Sequence, residues 1–289
     1  MTTKTEHIPI KEFQPDPVKF VDMYGLHDIY EGLQFEAPLI CVGPKGIGKT
    51  LSFQSWAAKI KCPIVTFDCS EDVRRSHLIG MYVLRGDQTP FILGPIPTAF
   101  EIANEYGMCI LAFEEVNALT PQMQKGLNSV ADYRRKVEVP ECQRVFKLKP
   151  GARLWVVGSM NTSVYGGVYQ LNEDLKSRFR LLALDYPKPS KEKEVVQAVL
   201  NGNASKLDSG IIDKVLLLAH ETRQKTLEYA LSTRDVVQLL EDIAALDTQT
   251  ALRIVIGKFD DSDRDTIVQR IQSIFGVQLA AKPQKKSKK

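Results

Sequence analysis

Leu39-Ile-Cys-Val-Gly-Pro-Lys-Gly-Ile-Gly-Lys-Thr-Leu51 is the stretch from which the rest of the chain can be read. Leu39 to Val42 is a short apolar run with the character of a buried strand. It passes straight into Gly43-Pro44-Lys45-Gly46-Ile47-Gly48-Lys49-Thr50, which fits G-x-x-x-x-G-K-[ST] without a gap. Leu51, Phe53, Trp56, Ala57 and Ile60 then recur at helical spacing. Strand, glycine loop and helix in that order are the setting of a phosphate-binding loop. Gly43, Gly46 and Gly48 let the backbone curl so that its N–H groups converge on phosphate oxygens. The helix adds its positive N-terminal end. The predicted nucleotide-binding set is Gly43, Pro44, Lys45, Gly46, Ile47, Gly48, Lys49, Thr50 and Leu51. Within it Lys49 can reach the β- and γ-phosphates, and the Thr50 hydroxyl can ligate Mg2+.

Outward from this loop the same alternation repeats. Pro63 to Asp68, Met108 to Phe113, Leu154 to Gly158 and Leu181 to Leu184 read as further buried strands. Helices are predicted within Pro17 to Leu33, over Glu71 to Ile79, from a Thr98 cap to Tyr106, and after Thr120-Pro121. Two hairpins are expected. One has its arms around Arg85-Gly-Asp-Gln88 within 81–93, and the other spans 136–149 with its turn near Pro140-Glu141. Alternating strands and helices imply an α/β fold with a parallel sheet flanked by helices. Past Pro187-Lys-Pro189 only helical periodicity remains, with helices near 190–201, 210–224, 233–246, 248–258 and 262–275. The expected organisation is an irregular lead-in at 1–16 and a nucleotide-binding α/β domain at 17–187. A small helical lid follows at 188–279, then a disordered basic tail at 280–289.

Composition narrows the class. With 44% hydrophobic and 25% charged residues the chain reads as globular. The net charge of +3 owes its sign to five lysines in Lys282-Pro-Gln-Lys-Lys-Ser-Lys-Lys289. Taking those five from the 38 basic residues leaves a body with a slight excess of its 35 acids. A nucleic-acid partner would therefore have to be held by the tail or a local patch. The five cysteines form no C-x-x-C pair, and several sit in apolar runs. This points to core thiols in a reducing compartment. Neither a signal-like apolar core nor a run of about 20 apolar residues is visible, so a cytoplasmic protein with no membrane contact is expected.

A triphosphate site that performs hydrolysis needs acids at the end of a neighbouring strand. Glu114-Glu115 follows Met108 to Phe113 in that position, with Glu114 at the metal shell and Glu115 polarising water. Asn161, after the strand at 154–158, could contact the γ-phosphate or the water. With these in place the chain resembles the AAA+ ATPases. The phosphate loop, Phe113-Glu114-Glu115-Val-Asn117, Gly158-Ser-Met-Asn161, Leu175-Lys-Ser-Arg178-Phe and Leu231-Ser-Thr-Arg234-Asp follow that family's motif order. Within the family it is most similar to the MoxR-like and midasin-like branch, where an insert hairpin precedes a Gly-Pro-Ile/Leu stretch like Gly94-Pro-Ile96.

The resemblance implies that Lys49 and Thr50 serve as Walker A, Glu114 and Glu115 as Walker B, and Asn161 as sensor 1. Arg178 would be the arginine finger acting in trans, with Arg180 as runner-up, and Arg234 would be sensor 2 in the lid. It further implies ATP and Mg2+ as cofactors and a homo-oligomeric ring, most often a hexamer. The partner would be a protein client or adaptor such as a von Willebrand A-domain protein. Two alternatives stay open: a nucleic-acid motor or loader using the basic tail, and a slow-turnover ATP-gated scaffold. The scaffold reading draws on one departure, because the family has aspartate where this chain has Glu114.

Overall fold

The computed structural model describes residues 10–33, 35, 37–162, 169–200, 207–224 and 227–278. The chain divides into two compact units, 1–185 and 186–289. The predicted tail at 280–289 and most of the lead-in lie outside the described residues.

In the first unit the elements run α1 (Leu26–Leu33), β1 (Leu39–Val42), α2 (Lys49–Ile60), β2 (Ile64–Asp68), α3 (Arg75–Ile79), β3 (Gly80–Tyr82) and β4 (Phe91–Leu93). They continue through α4 (Pro95–Tyr106), β5 (Met108–Glu114), α5 (Pro121–Ala131), β6 (Lys136–Val139), β7 (Arg144–Lys147), β8 (Arg153–Met160), α6 (Glu173–Arg178) and β9 (Arg180–Ala183). Five strands form one sheet in the order β2-β5-β8-β1-β9, and every neighbouring pair is parallel. The short strands make two separate antiparallel hairpins, β3–β4 and β6–β7.

Continuous apolar strands are what a sheet covered on both faces requires, and the packing shows how the residues divide. Ile40, Leu111, Phe113, Leu154 and Val156 enter one buried cluster. Their immediate neighbours Leu39, Cys41, Ile110, Ala112, Trp155 and Val157 enter the other. Successive side chains on a strand point to opposite faces, so each strand serves both layers. The α/β expectation thus holds, and β1 lies inside the sheet with its C-terminal end beside that of β8.

Some helix starts differ from the sequence reading. Only Leu26–Leu33 of the segment 17–33 is helical. Asp22 accepts hydrogen bonds from the backbone N–H groups of Leu26 (2.7 Å) and His27 (2.8 Å), which fixes the start there. Residues 71–74 stay outside α3. α4 begins at Pro95 with Gly94 as its cap, and Thr98 is buried inside its first turn rather than capping it. Proline suits a first helical position because its missing N–H would have had no partner.

The second unit holds α7 (Pro189–Leu200), α8 (Ser209–Gln224), α9 (Thr233–Ala245), α10 (Thr248–Ile256) and α11 (Asp261–Phe275) around a core of its own. Leu216, Leu239, Leu252 and Ile271 are among its buried members. One buried ion pair is built into it. Arg223 donates to both oxygens of Glu192 at 2.7 and 2.8 Å, and Thr233 Oγ1 donates to Glu192 at 2.7 Å. A buried carboxylate is tolerable only with such partners. Among the described residues no helix is long and apolar enough to cross a membrane.

Candidate active site

The ends of β1, β5 and β8 bring Lys49, Thr50, Glu114, Glu115 and Asn161 together. After β1 the loop turns through Gly46 and Gly48, at φ 73° and 90°, a region that favours glycine. A Cβ at Gly43 would come within 2.5 Å of the Leu184 carbonyl oxygen, so this position too needs glycine. α2 then starts at Lys49, leaving the N–H groups of its first turn facing the loop.

Lys49 is buried, and its Nζ donates to the carbonyls of Gly43 (2.8 Å) and Pro44 (2.6 Å) and to Asn161 Oδ1 (3.1 Å). Thr50 Oγ1 donates to Glu114 Oε2 at 3.2 Å. Glu114 closes β5, one residue beyond the expected strand end, and pairs in register with Asp68 on β2. Glu115 follows in a left-handed conformation, φ 52° and ψ 47°, which turns the chain abruptly off the strand. Its Oε1 accepts from Asn161 Nδ2 at 3.3 Å. The Asn161 amide therefore bridges the lysine and the glutamate, accepting from one and donating to the other.

Three further residues hold this arrangement without having been assigned a role in the sequence. Ser159 is buried on β8, with its Oγ 3.4 Å from Thr50 Oγ1 and accepting from the Glu115 N–H at 3.4 Å. Its signal was the Gly158-Ser-Met-Asn161 stretch, but its place depends on β8 running on to Met160 and pairing Ser159 with Cys41. Asn117 is buried and donates from Nδ2 to the Asn161 carbonyl at 3.0 Å. Its Oδ1 has no hydrogen-bond partner among the described residues. Leaving such an acceptor bare costs about 1–3 kcal/mol. Cys69 follows β2, and its N–H donates to the Glu114 carbonyl at 2.9 Å. Burial, with the charges of Asp68, Glu114 and Glu115, pushes its thiol up to about 12, so it is no nucleophile near neutrality.

The site fits a triphosphate and a hard divalent cation. Glycine backbone, a helix start and an ammonium converge where phosphate oxygens would lie. Thr50 and Glu114 supply two oxygen donors. No group of three or more His, Cys, Asp or Glu side chains forms a metal cage among the described residues. The Thr50–Glu114 pair of oxygens suits Mg2+, which keeps several waters and takes its remaining ligands from phosphate.

The predicted arginines lie on α6, β9 and α9. Arg178 closes α6, and its Nη1 donates to the Asp174 carbonyl at 3.0 Å within its own helix. Its charge helps hold the Asp132 carboxyl below the usual range, behind the larger effect of the Arg134 hydrogen bonds. Arg180 is exposed on β9. Arg234 is exposed on the first turn of α9, flanked by buried Thr233 and Asp235.

Residues 38–179 match the AAA domain (dynein-related subfamily). A Staphylococcus haemolyticus protein described as uncharacterized protein SH1500 is 27% identical over 234 residues, covering 77% of this chain and 84% of that one. The crystal structure of a candidate ATPase from Cytophaga hutchinsonii is 17% identical and covers 89% of this chain and 90% of that chain, with a TM-score of 0.49. The Thermotoga maritima RuvB Holliday junction branch migration motor is 14% identical and covers 87% and 68%, also at 0.49. Likenesses at that level carry no argument about what this chain binds.

Proposed function

The chain belongs to the AAA+ ATPases through the domain at residues 38–179, and on that premise we propose that it hydrolyses Mg-ATP in a homo-oligomeric ring to remodel a protein partner, in the manner of the MoxR-like branch. The observation that carries this reading is the hydrogen-bonded line from Lys49 through Asn161 to Glu115, beside Thr50 and Glu114. In the proposed reaction Lys49 neutralises charge on the terminal phosphates. Glu115 orients and polarises the attacking water, and Asn161 fixes the Glu115 carboxylate relative to the lysine. Thr50 and Glu114 would hold Mg2+, which when bound offsets charge building on the phosphate oxygens. Arg178 is assigned to the ATP of the neighbouring subunit, and Arg234 to sensing the nucleotide from α9. An arginine of this kind contributes about 10³–10⁵ in rate, and acting in trans it requires a ring.

The branch assignment draws support from the β3–β4 hairpin, inserted directly between α3 and α4. A protein client is favoured over nucleic acid because the body of the chain, without its lysine tail, has no basic excess.

The test is turnover and ATP binding in the whole chain, with mass in solution measured alongside. Glu115→Gln should keep ATP affinity near that of the parent and cut turnover by about 10²-fold or more. Lys49→Ala should lose ATP binding. A strict monomer with full turnover would sink the ring. Stimulation by DNA or RNA, lost on removing residues 282–289, would favour a nucleic-acid motor over the remodeller.

A further inference from the structure

We propose that two buried side-chain amides, Asn117 and Gln124, are positioning residues that tie Asn161 to the helix carrying Arg178. Each nucleotide site would thereby be coupled to the arginine its own subunit offers a neighbour. The proposal rests on the reading that Asn161 and Arg178 take part in hydrolysis.

The path can be followed bond by bond. Glu115 is joined to Asn161 through its carboxylate. Its backbone enters the tight 3-10 turn Val116–Ala118, closed by the Ala118 N–H on the Glu115 carbonyl at 2.7 Å. Asn117 sits in that turn, 1% exposed. Its Nδ2 holds the Asn161 carbonyl at 3.0 Å, and its own carbonyl accepts from the Tyr169 N–H at 2.6 Å. A displacement of Glu115 or Asn161 is therefore felt at Tyr169.

Gln124 continues the line from α5, fully buried. Its Nε2 donates to the carbonyls of Leu119 (3.1 Å) and Gln170 (3.3 Å), and its Oε1 accepts from the Asn172 N–H at 2.9 Å. Asn172 is the residue that precedes α6, and its Nδ2 donates to the Pro121 carbonyl at 2.8 Å. α6 is a single short helix whose last residue is Arg178, so whatever sets Asn172 sets the arginine.

The choice of residue type supports the assignment. A primary amide both donates and accepts, so one side chain can lock two backbone segments at once. A leucine or methionine of similar size would fill the same space and fix neither. Asn117 keeps an unpartnered buried acceptor, Oδ1, which packing alone would not favour.

The experiment compares near-isosteric apolar variants, Asn117→Leu and Gln124→Met, with the parent protein. ATP affinity, KM, kcat and thermal unfolding are measured on the full chain. The expected result is affinity and KM within about twofold, because the phosphate loop is untouched, with kcat down about tenfold or more. A merely structural role would lower the unfolding temperature and leave kcat of the folded fraction unchanged, and that outcome overturns the proposal.

Subunit mixing isolates the arginine. Arg178→Ala mixed with Glu115→Gln should recover turnover, since each supplies what the other lacks. Arg178→Ala mixed with Gln124→Met should not, and recovery there refutes the link to Arg178. Should Gln124→Met fail to fold, Asn172→Ala at its half-buried position removes the Nδ2 bond to the Pro121 carbonyl and so loosens the start of α6 from α5 without altering the core. Mixed with Arg178→Ala it should likewise fail to restore turnover, and recovery refutes the link to α6. If the Glu115→Gln mixture stays inactive while each variant binds ATP and assembles, the trans reading itself is wrong and the link falls with it.

Discussion

Glu114 reaches Thr50 because of its length. Its Oε2 accepts the Thr50 hydroxyl at 3.2 Å, so the two donors assigned to Mg2+ are hydrogen-bonded to each other. Aspartate, which the AAA+ pattern has here, would withdraw the carboxylate by one methylene and leave the hydroxyl to Ser159. If the longer arm slows hydrolysis, Glu114→Asp should raise turnover and shift the Mg2+ concentration for half-maximal rate by about tenfold, the scale on which changes around metal ligands act. Titrating Mg2+ against turnover checks this, and identical curves for the two proteins would remove any role for the extra methylene. Ser159 and Asn117 show what single-residue reading cannot reach. A serine or asparagine after a strand has the look of a turn residue. Only strand register places Ser159 against Thr50 and Glu115, and only the left-handed turn at Glu115 carries Asn117 under Asn161.

Elements were legible where one physical signal dominated. The five sheet strands are apolar runs, and their burial on both faces leaves few other assignments. Helix starts were less legible because several residues compete to cap them. Thr98 is a good cap by type, yet Gly94-Pro95 starts α4 and the threonine is buried within it. α9 is a case where cap and start agree. Ser232 Oγ accepts from the Asp235 N–H at 3.2 Å, while Asp235 Oδ2 accepts from the Ser232 N–H at 2.8 Å. Tyr229 and Lys258 also donate to Asp235. Burial alone would push the Asp235 carboxyl up, but the Lys258 and Ser232 donors outweigh it and hold it below the usual range. A depressed carboxyl stabilises the fold above its unfolded value of 3.8 and loses that contribution as pH falls through its lower folded value. Asp235→Ala should lower the unfolding free energy by about 1–3 kcal/mol, because it removes the carboxylate that the Ser232 N–H, Tyr229 and Lys258 bond, while the Ser232 Oγ cap on the backbone N–H of residue 235 stays. It should also flatten the decline in stability below pH 4, as read from urea unfolding at pH 3 to 7. A variant as acid-sensitive as the parent would show that Asp235 is not the group responsible.

At the scale of the molecule, the first unit rests on thiols as well as hydrocarbons. Cys41 and Cys62 belong to one face of the sheet, Cys69 and Cys109 to the other, and all four are buried. Burial pushes Cys41 up to about 11, Cys62 and Cys69 to about 12, and Cys109 well above its usual value. In the unfolded chain each would ionise near 9.0. Below pH 9 the thiols are neutral in both states and leave stability unchanged. Above it the unfolded chain releases protons that the folded chain keeps, so stability falls as pH rises through the window 9 to 12. Each thiol contributes a slope of up to about 1.4 kcal/mol per pH unit. Denaturant midpoints should therefore be level with respect to these groups from pH 7 to 8.5 and drop above 9, and the drop should be shallower in Cys62→Ala. Reactivity gives an independent reading of the same burial. A thiol reagent at pH 8 should modify half-buried Cys142 readily in the native protein, and all five cysteines only after denaturation. Fast native labelling at Cys41 or Cys109 would mean that the sheet opens far more often than its packing implies.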